Sequence, residues 1–244
     1  MSAARHIWWR ETRAAFTSPL GSGTLAGFLA LAGWSFAEML RRNEGGFAPA
    51  AAVWGLAVGP WLPVLAAAAT MRLFAEERQA GTFETLLTAP VRCREVVLGK
   101  FAAALTTVLL GLLLAAVPAL LLPRLAPAAG LPAAPMLAAA AMLALQAAAW
   151  TAIGTLAALA TRQQAAAGIL TVAAIGAPYA LHAGLVAWAP PARLRLWAWP
   201  PLGDVSDAAS GLLALAPPVL YLSVCWCALF LGVRLLEARD TRTR

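Results

Sequence analysis

The chain has 244 residues, of which 61% are apolar and 12% are charged, and its mean hydropathy is +0.75. A water-soluble domain is about half apolar and about one quarter charged, so this composition excludes a soluble enzyme and a disordered chain. The low number of cysteines, three, also excludes a disulfide-rich secreted domain. The net charge of +7 comes from basic residues between hydrophobic runs, which suits anionic lipid headgroups better than nucleic acid. We therefore expect an all-α integral membrane protein.

The first predicted element is an interfacial helix within residues 1–20. In this segment apolar residues such as Trp8 and Phe16 are interspersed with charged residues such as Arg10 and Glu11. This pattern is typical of an amphipathic helix that lies in the lipid headgroup layer. The segment lacks the uninterrupted apolar core and the small-residue cleavage site of a signal peptide.

Six apolar segments follow, each close to the roughly 20 residues that a helix needs to cross a bilayer. We expect them to form one transmembrane domain over residues 1–244. Prolines Pro60, Pro63, Pro118 and Pro178 lie inside these segments and predict kinks, because proline lacks a backbone donor. The predicted spans are residues 22–40, 51–74, 98–122, 135–160, 166–188 and 217–236.

The segment before the sixth span, residues 189–216, contains two proline pairs and several tryptophans. Tryptophan is enriched at the membrane surface, and the stretch 203–216 is too short to cross a bilayer. We expect an extracytoplasmic segment with a re-entrant or surface helix, with Ser206 or Asp207 as its N-cap. The alternative is a seventh crossing, which would place the C-terminus outside.

The distribution of basic residues predicts the orientation of the chain. With six spans, thirteen of the 18 Lys and Arg residues lie on the side of the two termini and five lie on the other side. Basic residues concentrate in cytoplasmic loops. The chain is therefore predicted to be a multi-pass protein of the plasma (inner) membrane with both termini in the cytoplasm.

Few polar side chains in the spans could support chemistry. Gln146, His182 and Glu38 are the strongly polar residues inside the spans or near their ends, and His6, the second histidine, lies on the other side of the membrane. This arrangement provides no metal cluster and no nucleophile-base pair. The sequence around Lys100 lacks the glycine and the hydroxyl residue of a phosphate-binding loop. We expect no catalytic residue, metal or cofactor, although an intramembrane enzyme using His182 or Gln146 remains an alternative.

The cytoplasmic loop 75–97 has the pattern of an ordered segment. Glu76 and Glu77 end the second span with charges, and Gly81 is expected to break the helix. A short second helix is predicted to start at Thr82, a good N-cap residue, and to stop at Pro90.

The short helix is amphipathic. Phe83, Leu86 and Leu87 have helical spacings of three and four and form one apolar face, while Glu84 and Thr85 lie in the first turn. Such a helix either lies on the membrane or binds in a groove of another protein.

This loop resembles the second cytoplasmic segment of type-2 ABC transporter permeases. The family pattern is an acidic pair, Gly-Thr-x-Glu, two leucines, Pro-Val, and Gly-Lys before the next span. The resemblance is greatest to the gliding-motility-type permeases, and the layout of an N-terminal interfacial helix and six spans agrees. The matching residues are Glu76, Glu77, Gly81, Thr82, Glu84, Leu86, Leu87, Pro90, Val91, Gly99 and Lys100.

The resemblance implies that the chain is the permease subunit of an ATP-driven exporter. A coupling helix near Thr82–Thr88 would bind a separate ATP-binding subunit, and Glu76, Glu77, Gly81 and Pro90 would support its loop, although solvation by headgroups explains the charges equally well. Two ATP-binding subunits, which use ATP and Mg, and a second permease, identical or related, would complete the transporter. The alternative is a membrane scaffold or assembly factor without transport, and no substrate class is indicated.

Overall fold

The structure, a computed structural model, describes residues 3–42, 50–79, 81, 92–125, 133–188, 201–212 and 214–243. These residues are almost all helical and include no strand, which confirms the predicted all-α class. The helices are α1 (Ala3–Thr17), α2 (Pro19–Arg42), α3 (Ala50–Val58), α4 (Leu62–Thr70), α5 (Ala75–Gln79), α6 (Cys93–Ala115), α7 (Val117–Leu125), α8 (Ala133–Ala160), α9 (Gln164–Trp188), α10 (Pro201–Ala209) and α11 (Ala216–Thr243).

Six helical stretches of the described residues are long and apolar enough to cross a membrane, the number that the sequence predicts. The second and fourth are the most buried, with 67% and 56% of their span windows inside the protein, whereas the first and fifth are only 17% buried. The second and fourth spans therefore form the centre of the bundle. The six stretches are Pro19–Arg42, Ala51–Thr70, Cys93–Leu121, Ala133–Ala160, Gln164–Leu181 and Ala216–Arg239.

Two of the predicted proline kinks interrupt the helices. The second span changes to a 3-10 turn at Gly59–Trp61, which contains Pro60. The third span breaks at a turn at Ala116, two residues before Pro118. Proline disrupts these helices because it removes one backbone donor and its ring collides with the preceding turn. By contrast, α9 continues as one helix through Pro178.

A tryptophan satisfies the backbone at the break in the third span. The indole N–H of Trp54, which is only 1% exposed, donates to the carbonyl of Ala115 over 2.9 Å. A carbonyl left without a donor in a dry interior costs free energy comparable to a lost hydrogen bond. The Trp54 bond therefore stabilises the interruption next to Pro118.

The packing of α8 depends on small residues. This helix contacts α4, α6, α9, α10 and α11 and is rich in alanine, which allows helices to approach closely. At Gly154 the approach is closest, because a Cβ atom there would lie 2.2 Å from the hydroxyl oxygen of Thr70. The second and fourth spans thus meet where only glycine fits.

The buried residues form two clusters at different levels of the bundle. The smaller cluster contains Phe74, Val97, Leu159 and Leu236. It lies at the end of the bundle that carries α1, α5 and the last turns of α11, which we call the loop end. The larger cluster fills the remainder up to α10, at the opposite end.

The short helix α10 differs from its prediction in one respect. It runs over Pro201–Ala209, so Ser206 and Asp207 lie inside the helix and the N-cap prediction was wrong. The Ser206 hydroxyl donates back to the carbonyl of Gly203 over 2.8 Å. The helix begins earlier because proline tolerates a first-turn position, where its missing N–H would have no helical partner.

Candidate functional site

The predicted coupling helix lies outside the described residues, and so does Pro90. The structure describes the two ends of its loop. On one side α5 ends at Gln79 and Gly81 has φ of +68°, a conformation that glycine adopts without strain. On the other side α6 begins after Arg92, whose backbone N–H donates to the Glu95 carboxylate over 3.3 Å.

A buried lysine joins the two ends of this loop. Lys100 lies about two turns after the start of α6 and is 1% exposed. Its ammonium group lies 3.0 Å from the Glu77 carboxylate of α5 and 3.1 Å from the Glu11 carboxylate of α1. It also donates to the Leu73 carbonyl and lies 5.0 Å from the ring centre of Phe74. One side chain therefore connects α1, α5 and α6.

Arg10 completes this group of charges. Its guanidinium lies 2.8 Å from Glu11 and 3.1 Å from Glu77. We call Arg10, Glu11, Glu77 and Lys100 the charge cluster. It contains two cations and two carboxylates, so the formal charges cancel, which reduces the cost of burying them together.

The pKa of Glu11 reflects this balance. Burial raises the pKa of its carboxyl, but the neighbouring charge of Lys100 and the hydrogen bond from Arg10 outweigh burial, and the pKa lies below its ordinary value. Glu11 is therefore ionised at neutral pH. The ion pairs with both cations are consequently formed under physiological conditions.

The helix α1 reaches the cluster because it packs along α6. A Cβ atom at Gly99 would lie 2.9 Å from the Ala4 carbonyl oxygen and 3.0 Å from the Ile7 side chain, so glycine allows this approach. The indole N–H of Trp8 donates to the Thr106 hydroxyl over 3.0 Å. The prediction that α1 lies in the headgroup layer stays a prediction, whereas its contact with the third span is a feature of the structure.

Arg78 connects the same loop to the turn between α8 and α9. Its guanidinium donates to the Leu159 carbonyl over 2.8 Å and to the Thr161 carbonyl. These carbonyls lie at the C-terminal end of α8, where cations are favoured. Burial and the nearby charges of Arg239 and Arg162 lower the pKa of Arg78.

A contact at the loop end also holds the bend at Ser18 between α1 and α2, which we call the elbow. Arg72, which follows the second span, donates to the Ser18 hydroxyl over 2.8 Å, and the Ser18 hydroxyl accepts the backbone N–H of Gly21 over 3.2 Å. The chain that leaves the second span therefore contacts α1 and the α1-α2 elbow before it enters the loop.

The structure brings together residues that the sequence did not pair. Glu77 was predicted to support the loop, and it contacts Lys100 and Arg10. The side chain of Glu76 lies outside the described residues. The sequence placed Glu11 in an interfacial helix and Lys100 in the Gly-Lys pair before the third span, and it did not predict their contact. No sequence signal marks it, because 89 residues separate the two.

Among the polar residues predicted inside the spans whose side chains the structure describes, Gln146 is deeply buried in a hydrogen bond and Glu38 is not. Gln146 is 2% exposed and its amide N–H donates to the Tyr221 hydroxyl over 3.0 Å. Glu38 forms ion pairs with Arg41 and Arg42 at the end of α2. His182 belongs to α9, but its side chain lies outside the described residues.

Within the described residues, no group of three or more His, Cys, Asp and Glu side chains could hold a metal ion. The described charged groups Arg10, Glu11, Glu77 and Lys100 of the loop end instead form ion pairs with one another. Chemically, this arrangement can hold helices together and transmit displacement, and it offers no activated nucleophile.

Comparison with known proteins identifies the family. A model of the ABC-2 family transporter proteins matches residues 16–233. No curated protein matches the chain. The family match agrees with the resemblance of the 75–97 loop to type-2 ABC permeases, and it implies an ABC ATP-binding subunit as the partner. The chain therefore belongs to the ABC-2 family of transporter proteins and is a multi-pass permease subunit of an ABC transporter.

Proposed function

We propose that this permease is part of an ATP-driven exporter and that residues Thr82–Thr88 bind the ATP-binding subunit. The observation that supports this most directly is the buried contact of Lys100 with α1 and α5. A segment that transmits force needs a stiff attachment to the spans. The described helices before and after residues 82–91 share such an attachment, since both α5 and α6 contribute to the charge cluster.

The proposed contact combines an apolar face with one charge. Phe83, Leu86 and Leu87 would fill a groove of the partner, and Glu84 would meet a basic residue there. Binding of an amphipathic helix in a groove is a common mode of peptide recognition. The partner would bind ATP and Mg, while this chain would bind no cofactor.

Movement of the partner would reach the spans by three routes. The first route is the Glu77–Lys100 ion pair, which connects the loop to α1 and α6. The second is the bond from Arg78 to the end of α8, and the third is the bond from Arg72 to Ser18. Coupling between two sites typically amounts to about 1–3 kcal/mol. The contacts of the buried Lys100 can sustain coupling of this size, because removing one partner of a buried ion pair costs about 3–5 kcal/mol.

The complete transporter would contain two permeases and two ATP-binding subunits in the plasma (inner) membrane. The excess of basic residues on the side of the loop end supports a cytoplasmic position for both termini. A cytoplasmic loop end is also what a soluble ATP-binding subunit requires.

The test is a substitution in the proposed contact. Leu87→Asp and Glu84→Arg should each abolish permease-stimulated ATPase activity of the reconstituted complex while the permease still inserts in the membrane. Thr88→Ser, a small change in the same segment, is the matched control and should retain the activity. Full stimulation in both variants would overturn the proposal. Failure of any ATP-binding subunit to co-purify would favour a scaffold without transport.

A further inference from the structure

A chain of three hydrogen-bonded side chains lies at the end of the bundle opposite the loop end. The Tyr221 hydroxyl of α11 donates to the Asp204 carboxylate of α10 over 2.7 Å, and it accepts from the Gln146 amide of α8 over 3.0 Å. Tyr221 is 1% exposed, and its ring packs edge-on against Trp150. Asp204 is thus the link between α10 and two membrane spans.

The helix α10 fits closely among the spans. Val205, Ala208 and Ala209 are each 1% exposed and belong to the larger core cluster. A Cβ atom at Gly55 of α3 would lie 2.3 Å from Cγ1 of Val205, so glycine is required at this contact. The nine-residue helix α10 places Asp204, Val205, Ala208 and Ala209 between membrane spans, and it is held there by packing and by the hydrogen bond of Asp204. The described contacts show no oppositely charged residue that helps to hold it.

Among the described residues, no group of opposite charge contacts the half-buried Asp204 carboxylate. Tyr221 on α11 and Tyr179 on α9 are neutral when protonated, and Asp207 on α10 itself carries the same sign. Neither α3 nor α8 contains a titratable side chain. When ionised, the half-buried Asp204 loses part of its hydration, and the described contacts give it one hydrogen bond, from Tyr221.

The protonation state of Asp204 therefore affects how favourably α10 packs on the bundle. When Asp204 is protonated, α10 keeps its packing at no cost in charge burial. When Asp204 is ionised, departure of α10 from the bundle restores the hydration of the carboxylate but exposes the apolar face of Val205, Ala208 and Ala209. Protonation changes the balance between the docked and undocked states.

We propose that α10 is a reversible plug at this end of the bundle and that the proton on Asp204 controls its docking. Because the Asp204 carboxylate links α10 directly to Tyr221, its protonation acts on the docking equilibrium. The ligand of this switch is the proton of the solution on the side opposite the loop end.

The sign of the pH dependence follows from the environment of the carboxyl. Burial raises the pKa of Asp204 above its ordinary value of 3.8, the Tyr221 hydrogen bond opposes this, and the charge of Asp207 adds to it. The docked state therefore binds the proton more tightly than the undocked state. Docking is strongest below pH 3.8 and weakens as the pH rises through the raised pKa.

The geometry allows a direct measurement of docking. The Cβ position at Gly55 lies 3.6 Å from Cβ of Val205, within the range of about 3.5–4.5 Å for disulfides. In a Gly55→Cys, Val205→Cys double variant, the clashing Cγ1 atom of valine is replaced by the bonding sulfur. The native cysteines Cys93, Cys225 and Cys227 are changed to serine first.

The experiment measures disulfide formation in the full chain in phospholipid vesicles between about pH 4 and about pH 8. Each rate is divided by the rate of the same pair in the Asp204→Asn background, because the ratio cancels the pH dependence of thiol chemistry. Asparagine keeps an acceptor for Tyr221 and has no proton to lose. Asp207→Asn is the matched control on the same helix.

We expect the ratio to fall as the pH rises, by at most about tenfold per pH unit. With Asp207→Asn it should also fall, but at a lower pH, because the charge of Asp207 raises the pKa of Asp204. A ratio that stays constant overturns the proposal, as does a pair that does not cross-link in either background. A second readout uses Val205→Cys alone and an impermeant maleimide, whose labelling should increase with pH relative to the Asp204→Asn background. Equal labelling at all pH values would also refute the switch.

A role of this plug in transport would rest on the proposed function, since the plug would close the path on the side opposite the ATP-binding subunit. The docking measurement needs no partner and no substrate. Its failure is therefore distinguishable from a failure of the coupling contact at Leu87.

Discussion

The two ends of the bundle bury polar groups in different ways. At the loop end, Lys100 and Arg10 face Glu11 and Glu77, so two positive and two negative charges cancel. At the opposite end, Asp204 accepts a hydrogen bond from the neutral Tyr221 hydroxyl, which itself accepts from the Gln146 amide. A balanced cluster is costly to separate, because each partner would leave an unpaired charge behind. A single carboxylate can leave for water, where it is hydrated.

This difference suggests a division of labour between the ends. The loop end has the stiff connections that a transmitting element needs, and they extend to α6, α8 and the elbow at Ser18. At the opposite end, the described contacts join the short helix α10 to the spans through the titratable Asp204. This is the arrangement that reversible docking needs. Three substitutions test whether the loop end is held rigidly while the opposite end is held reversibly.

The largest effect is expected for Lys100→Met at the loop end. Removing the ammonium group leaves Glu11 and Glu77 partly buried without it, and the free energy of unfolding should fall by about 3–5 kcal/mol. The measurement is thermal or denaturant unfolding of the purified permease. The ATPase stimulation of the complex should fall with it.

The matched control is Arg234→Met. Arg234 pairs with Glu237 on the surface of α11, with side chains 66% and 46% exposed. Because exposed ion pairs contribute at most about 1 kcal/mol, this variant should unfold almost like the parent. Equal effects of the two substitutions would mean that the charge cluster contributes no more than a surface pair.

A smaller effect is expected when α1 is pushed away from α6. Gly99→Val places side-chain atoms against the Ala4 carbonyl and Ile7, and such overpacking costs about 1–3 kcal/mol. The control is Gly27→Ala, since a Cβ atom at Gly27 meets nothing within 4 Å. Unchanged unfolding and ATPase stimulation in Gly99→Val would show that α1 is not part of the stiff unit.

The smallest effect is expected for Tyr221→Phe at the opposite end. The variant keeps the ring packed against Trp150 but removes the hydroxyl between Asp204 and Gln146. Loss of a buried partner should cost about 1–2 kcal/mol, as measured by unfolding. Ser223→Ala, whose exposed hydroxyl bonds to its own helix, should change little. A loss as large as that of Lys100→Met would remove the contrast between the two ends.

Much of the fold was predictable because it follows from local properties. Runs of about 20 apolar residues must form helices in a bilayer, since the backbone has no other partner there. The breaks near Pro60 and Pro118 are equally local, because proline lacks an N–H wherever it stands. The prediction that Ser206 caps the N-terminus of α10 was wrong. Several hydroxyl and carboxylate residues in this segment could serve as caps, and tertiary packing decides where the helix starts.

The charge cluster and the plug were beyond prediction from the sequence. Lys100 looked like one more basic residue at the membrane surface, and Asp204 had no neighbour in the sequence that marked it for burial. Their partners, Glu11 and Tyr221, are 89 and 17 residues away. The sequence by itself determined the number of spans, the family and the side chains available. Only the tertiary structure decided which charges meet, because pairing depends on how helices distant in the chain pack together.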